Sequence, residues 1–254
     1  MKSTAIYFSA TDTSKKGAEA IAAAIGGGKF ETINLTRFDA VPVRTEFRSD
    51  EAVVFGAPVY GGRLYRGAVE RFRKLKGNQT PCILTVTYGN RDFDDALLEL
   101  SDLAKELGFV PVAAAALIGE HTYGEIQKGR PNAEDLAEDA VFAEKVAQKL
   151  AANDFSQPMI PGNHPYKEGG SGGKFHPLTA ENCVKCGLCA RECPEGAIDP
   201  ANGFAVNPER CIACFRCIRR CPVHAKNMNT PEYQEFAAAF TKRLAERKEN
   251  RYFL

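Results

Sequence analysis

Cys183-Val184-Lys185-Cys186-Gly187-Leu188-Cys189-Ala190-Arg191-Glu192-Cys193-Pro194 is matched further along by Cys211-Ile212-Ala213-Cys214-Phe215-Arg216-Cys217-Ile218-Arg219-Arg220-Cys221-Pro222. Each stretch is a triplet of cysteines at i, i+3 and i+6 followed by a distal Cys-Pro, and together they use eight of the nine cysteines. That is the spacing of a protein holding two 4Fe-4S clusters. Three thiolates at this spacing wrap one short loop around three irons of a cube, and the fourth iron faces away. In the two-cluster pattern the distal cysteine before proline serves the other cluster. Cys183, Cys186, Cys189 and Cys221 are therefore expected on the first cluster, and Cys211, Cys214, Cys217 and Cys193 on the second. Pro194 and Pro222 each remove a backbone donor and stiffen the turn after the distal cysteine. Zinc sites usually read as two C-x-x-C pairs with a spacer and need no distal Cys-Pro. Disulfides suit a secreted scaffold, which nothing else in the chain suggests.

Beyond the ligands, residues 181–230 resemble the bacterial two-cluster ferredoxins. The resemblance runs through Cys193-Pro194-Glu195-Gly196-Ala197-Ile198 and the turn at Asn202-Gly203 between the halves. The second half departs after Cys221, reading Pro222-Val223-His224-Ala225-Lys226, which touches no ligand; His224 reads as a solvated surface residue. Arg216, Arg219 and Arg220 crowd the second motif. They read either as positive charge that stabilises a reduced cluster or as an ordinary solvated face.

The chain as a whole has ordinary globular composition. Hydrophobic residues make up 44% and charged residues 26%, which fits a folded soluble core. A net charge of +1 gives no reason to expect nucleic acid. No apolar run approaches the roughly 18 residues of a membrane span. The start, Met1-Lys2-Ser3-Thr4-Ala5-Ile6-Tyr7-Phe8-Ser9, is too polar for a signal peptide. With eight reduced thiols, the expected location is cytoplasmic.

Residues 1–154 alternate short apolar runs with helical patterns. Strands are expected at Ala5–Phe8, Glu31–Leu35, Ala52–Ala57, Ile83–Thr87 and Val110–Ile118. Helices are expected near 14–25, 67–74, 93–107 and 132–152. This alternation implies an α/β fold with a five-stranded parallel sheet covered on both faces. Ligands of such sheets sit outside the carboxyl ends of the strands. Three loops fall there. Ser9-Ala10-Thr11-Asp12-Thr13-Ser14 offers hydroxyls and backbone N–H groups at a helix start, an anion site. The other two, Gly56–Tyr65 and Thr87-Tyr88-Gly89-Asn90-Arg91, offer aromatic faces and backbone polar groups to a flat ring.

With those loops in place, residues 1–154 resemble a flavodoxin, and the whole chain resembles the flavodoxin–ferredoxin fusion proteins of anaerobic bacteria and archaea. The resemblance implies a doubly wound flavodoxin-like domain that binds FMN. Ser9, Thr11, Thr13 and Ser14 would bind the phosphate. Pro58, Val59, Tyr60 and Gly61 would line one side of the ring, and Tyr88, Gly89 and Asn90 the other. One residue departs from the pattern: Asp12 stands where the family usually has glycine. Its carboxylate would repel a phosphate unless it turns outward, for instance to cap the helix, and Lys15 and Lys16 follow at once to offset the charge. A hydroxyl-rich strand–helix turn without a ligand is the alternative reading of this loop, evenly matched with the first when the loop is taken alone.

Residues 155–180 hold four prolines and five glycines, a linker composition. The half with Pro158, Pro161 and Pro165 is expected to lie along the first domain. The half with Gly169-Gly170-Ser171-Gly172-Gly173 is expected to let the small α+β cluster domain, 181–230, move. A C-terminal helix is expected within 231–254, with Thr230 as cap, Pro231 in the first turn and an apolar stripe of Phe236, Phe240 and Leu244. Cys82 reads as a buried structural cysteine. His121, at the same end of the sheet as the flavin, reads more readily as a water-satisfied loop residue than as a proton donor to the ring.

The function these readings imply is electron transfer through two 4Fe-4S clusters and FMN, with redox proteins as partners. Two alternatives stay open: an FMN-dependent reductase of a small organic acceptor, and a two-cluster ferredoxin beside a non-flavin scaffold. Oligomeric state is also open; a head-to-tail homodimer would bring one chain's clusters near the other chain's flavin.

Overall fold

The computed structural model describes residues 1–254. Five strands run parallel: β1 (Lys2–Tyr7), β2 (Glu31–Asn34), β3 (Glu51–Tyr60), β4 (Thr80–Tyr88) and β5 (Phe109–Ile118). Their order across the sheet is β2-β1-β3-β4-β5. This is the doubly wound flavodoxin-like order, whose switch point lies between β1 and β3. Strand periodicity distributes the core to both faces. Ile6, Phe8, Phe55 and Leu84 pack with Phe72 of α2 (Arg66–Phe72) and with Leu97 and Leu100 of α3 (Ala96–Glu106). The alternate residues Ala5, Tyr7, Val54 and Ile83 pack with Ile21 of α1 (Thr13–Ile25) and with Phe142 and Val146 of α4 (Ala133–Ala151). Every residue of β4 is buried, as befits a strand covered on both faces.

The sheet is larger than its sequence suggests. After α5 (Pro231–Arg243) the chain runs to a sixth strand, β6 (Arg251–Phe253), antiparallel to β5 with Arg251 opposite Ala116 and Phe253 opposite Ala114. The expected C-terminal helix therefore ends well before the terminus. Side chains of the first domain offer the tail backbone partners outside the helix. Asn90 Nδ2 donates to the Leu244 and Glu246 carbonyls, and Arg130 donates to the Lys248 carbonyl. Asn250 Oδ1 accepts from the Ile118 N–H at 2.8 Å. Tyr252 stacks on Phe142 with ring centroids 4.8 Å apart.

The cluster module is a pseudo-repeat. Leu178–Thr179 pairs antiparallel with Lys226–Asn227, and Ile198–Asp199 with Ala205–Val206. Equivalent positions of the two cysteine loops share left-handed backbone: Lys185 and Ala213, Gly187 and Phe215, Gly196 and His224. The departure at His224 thus keeps the backbone conformation that Gly196 has in the first half, and its side chain is exposed.

Residues 155–177 contain no helix or strand, yet they are fastened. Asp95 accepts from the Asn163 and Lys167 N–H groups, and Asp102 accepts from His164 and Tyr166. The glycine run is held too, which corrects the expectation of a free tether. Gly170 N–H donates to the Tyr60 carbonyl, and the Gly170 carbonyl accepts from Arg66 N–H. These glycines answer a steric demand rather than a need for mobility: a Cβ at Gly172 would lie 2.4 Å from the Ile212 Cα, and one at Gly173 would lie 1.9 Å from the Tyr123 hydroxyl. No helix is long and apolar enough to cross a membrane.

Candidate functional site

A cleft of about 350 Å³ opens beyond the carboxyl ends of β1, β3, β4 and β5. Ala10, Thr11, Thr13 and Ser14 form its floor at the start of α1. Pro58, Val59, Tyr60 and Gly61 make one wall, and Thr87, Tyr88 and Gly89 another. Nine of the twelve expected flavin residues therefore meet in one cavity.

The other three serve its frame. Ser9 Oγ accepts from Lys15 N–H at 3.0 Å, and Ser9 N–H donates to Thr36 Oγ1 at 2.9 Å, so this residue shapes the loop from beneath. Asn90 is buried and spends its amide on the tail. Asp12 has φ 64° and does not cap α1. That left-handed conformation explains why the resembled family favours glycine there and why aspartate is tolerated. The carboxylate turns out of the cleft to Arg220, 2.7 Å away, with Arg216 at 3.8 Å.

Two further walls close the cleft, the first at the end of the sheet where His121 is expected. The first is Gly119–Tyr123. Here His121 is held, not solvated: its Nδ1 accepts from Tyr123 N–H at 2.8 Å, and its ring meets Phe240 of α5 edge-on with centroids 4.9 Å apart. Burial pushes its pKa down to about 4, so the ring is neutral at pH 7 with the proton on Nε2. Gly89 is required beneath it, because a Cβ there would come within 2.2 Å of His121 Cδ2. The second wall combines Ser171, Gly172 and Gly173 with Ile212, Ala213 and Cys214 of the second cysteine loop. The only sequence signal for it was a glycine run in an otherwise proline-rich connection.

The cysteines collect in two further cavities. One is lined by Cys183, Cys186, Cys189 and Cys221, the other by Cys193, Cys211, Cys214 and Cys217. In each, the distal cysteine comes from the opposite motif. Cys214 and Ile212 line both the second cysteine cavity and the cleft, so the two spaces share a wall.

Arginines join the modules: Arg219 and Arg220 stay exposed, as a solvated face would, yet pair with the first domain, whereas Arg216 is buried. Arg219 pairs with Glu120 at 2.8 Å, and Arg220 pairs with Asp12. Buried Arg216 donates to the Ala10 carbonyl at 2.9 Å and to Glu192. From the other side, buried Arg71 reaches the Pro194 carbonyl and pairs with Glu195 at 3.1 Å.

The donor set of the cleft suits a polar, anionic ligand, as the phosphate of a flavin nucleotide would be. Ser14 Oγ and Thr87 Oγ1 are buried, line the cleft and have no hydrogen-bond partner in the protein. Buried hydroxyls are normally paired, so a polar ligand is the expected partner. First-turn N–H groups of α1 lack intrahelical acceptors and favour an anion.

Residues 182–225 match the family model of the 4Fe-4S dicluster domain. No curated protein matches the chain. Solved structures similar to it include a flavodoxin from the domain Archaea, at 17% identity and TM-score 0.41, spanning 59% of this chain and 99% of that one. Another is the two-electron reduced flavodoxin of Megasphaera elsdenii, at 21% identity and TM-score 0.35, spanning 54% and 97%. The chain joins a doubly wound parallel sheet of flavodoxin-like strand order to a segment that matches the 4Fe-4S dicluster domain.

Proposed function

We propose that this protein is an electron carrier that passes electrons between redox proteins by way of two 4Fe-4S clusters and one non-covalent FMN. The observation that carries this reading is the shared wall: Cys214 belongs to both the cleft and a four-cysteine cavity. In this reading Cys183, Cys186, Cys189 and Cys221 ligate the outer cluster, and Cys193, Cys211, Cys214 and Cys217 the inner one. Bound FMN supplies two-electron capacity with single-electron release, and each cluster carries one electron.

The protein's own residues bind, orient and shield. Thr11, Thr13 and Ser14 would hold the phosphate, and Lys15 and Lys16 follow with positive charge. Pro58, Val59, Tyr60 and Gly61 would line one side of the ring, with Tyr88 and Gly89 on the other. His121, neutral and fixed by Tyr123, offers a hydrogen-bond donor rather than an acid. Ile212–Cys214 wall the cleft with the same loop that lines the adjoining four-cysteine cavity, which favours exchange between those two sites and hence the carrier. Joining the sites in one chain gives them a high effective concentration for each other without a second copy.

The test is an anaerobic titration of iron-loaded, flavin-free protein with FMN, followed by flavin fluorescence quenching and iron analysis. The reading expects about one FMN and about eight irons per chain. Four irons, or no quenching, would overturn it.

A further inference from the structure

Arg216 occupies a place that no cofactor-ligand assignment explains. It lies between Cys214 and Cys217, and its side chain is only 5% exposed. Its Nη1 donates to the Ala10 carbonyl at 2.9 Å and to the Ser9 carbonyl at 3.4 Å, both in the loop that leads into α1. Its Nη2 pairs with Glu192, the neighbour of Cys193. One planar guanidinium thus touches the phosphate-binding loop and both stretches that supply the second cysteine cavity. The equivalent position in the first motif is Leu188, which makes no such link.

A buried guanidinium is costly unless its donors are used. Here Nε has no partner, so the charge is held by the loop carbonyls, by Glu192 and, at 3.8 Å, by Asp12. Lysine could not copy this, since a single ammonium does not span two acceptor groups in a fixed fork. The cost of burying the group is compensated only when the Ser9-Ala10 turn and the Cys193 turn are both in place.

We propose that Arg216 is a positioning residue that locks the flavin phosphate loop to the inner cluster's ligand loops, so that each site holds its geometry only while the other is formed. This rests on the reading that FMN occupies the cleft and a cluster the adjoining cavity. It adds that the two sites are coupled through one side chain. Loss of Arg216 should loosen the phosphate loop and disturb the inner cluster more than the outer one, because Arg216 stands between Cys214 and Cys217 and pairs with the neighbour of Cys193, all three in the inner group.

The experiment compares the full-length, iron-loaded protein with R216Q, R216K and E192Q by three measurements. These are FMN titration, electron paramagnetic resonance of the reduced clusters, and amide exchange of residues 9–16. R216Q is expected to weaken FMN binding about tenfold or more, the worth of a charge-assisted hydrogen bond. It is also expected to change one of the two cluster signals and to speed exchange in the phosphate loop. R216K should restore part of each effect, and E192Q should alter the same cluster signal without breaking the carbonyl contacts. Wild-type affinity, spectra and exchange in R216Q would overturn the proposal, as would an equal change in both cluster signals. If R216Q fails to take up iron, E192Q and R216K decide by the same readouts. If wild-type protein binds no FMN, the carrier reading falls. Exchange and spectra then still decide the coupling: a faster phosphate loop with one altered signal supports it, and no change overturns it.

Discussion

The two cysteine loops share a backbone and differ in what surrounds it. Both take left-handed conformations at equivalent places, Lys185 with Ala213 and Gly187 with Phe215. Both aim a backbone N–H at the distal sulfur, from Ala197 to Cys193 and from Ala225 to Cys221, each at 3.2 Å. Yet Cys186 is exposed while Cys214 is buried against the cleft. The residues between the ligands make the difference. Lys185 and Gly187 leave the first loop open to solvent. Ala213 and Phe215 are 2% and 6% exposed and pack with Met228, Tyr233 and Ala237, alongside Tyr123. The comparison teaches that cysteine spacing fixes the loop backbone, whereas the intervening residues decide which loop faces solvent and which faces the rest of the chain.

The sharpest way to break this contrast is to remove one ligand from each loop. C186S and C214S should each lose about four irons per chain. Only C214S should also lose FMN affinity, since only that side chain belongs to the cleft. Equal FMN binding in the two variants, measured by fluorescence titration, would mean the loops are functionally alike. A second exchange swaps the residues that follow the left-handed rule. A213K puts an unpaired cation into a buried aromatic cluster and should cost about 4 kcal/mol. At roughly 2–4 °C per kcal/mol, its cluster-bleaching temperature should fall by about 10 °C. K185A, its mirror on the exposed loop, should shift stability by no more than about 0.5 kcal/mol.

The same contrast explains what was legible in the chain. Cysteine spacing is local, so both four-cysteine groups could be read from it, and the distal exchange between motifs matches the way the two cavities are lined. Apolar periodicity is also local, and all five parallel strands and four helices of the first domain were visible. What escaped depends on contacts between distant segments. Nothing in Arg251-Tyr252-Phe253 announces a strand, because three residues carry too little pattern; the free edge of β5 decides it. Asn90 sits in a loop of flavin-binding type, but its amide is taken by the tail. The glycine run looked like a hinge because composition cannot distinguish glycine chosen for freedom from glycine chosen for closeness. At Gly172 and Gly173 it is closeness.

The tail junction offers a third perturbation, remote from the loops. Asp139 on α4 is buried and accepts from the Tyr252 hydroxyl of β6 at 2.9 Å. Burial is the main cause that raises its pKa to about 7. The unfolded value is near 3.9, so the folded state binds more protons across the interval between them. Stability from this group is present below about pH 4 and is lost as pH rises to about 7. D139N should abolish that loss while keeping an acceptor for Tyr252. Above pH 7 it should be more stable than wild type by at most about 4 kcal/mol, three tenfold steps. Anaerobic thermal scans from pH 4 to 8 would show it as a flattened profile. A parallel profile in the variant would mean Asp139 stays ionised throughout. FMN affinity should not move in either case, in contrast to C214S.

The smallest effect concerns the one residue that departs from the resembled phosphate loop. Glu192 and Arg220 hold equivalent places in the two motifs and carry opposite charge. Glu192 turns inward to Arg216, and Arg220 turns outward to Asp12. The Asp12–Arg220 pair is roughly 40% exposed on both sides, so screening by water leaves it worth about 0–1 kcal/mol. Its use is directional: it draws the carboxylate away from the floor of the cleft. R220Q should therefore weaken FMN binding by no more than about threefold, with the difference vanishing in high salt. D12G removes the charge and restores the residue type that a φ of 64° favours, so it should tighten binding by a similarly small factor. A gain of a hundredfold or more in D12G would mean that the carboxylate opposes the phosphate despite its outward turn. The arginines of the second loop would then serve only to join the modules and not to shield the flavin site.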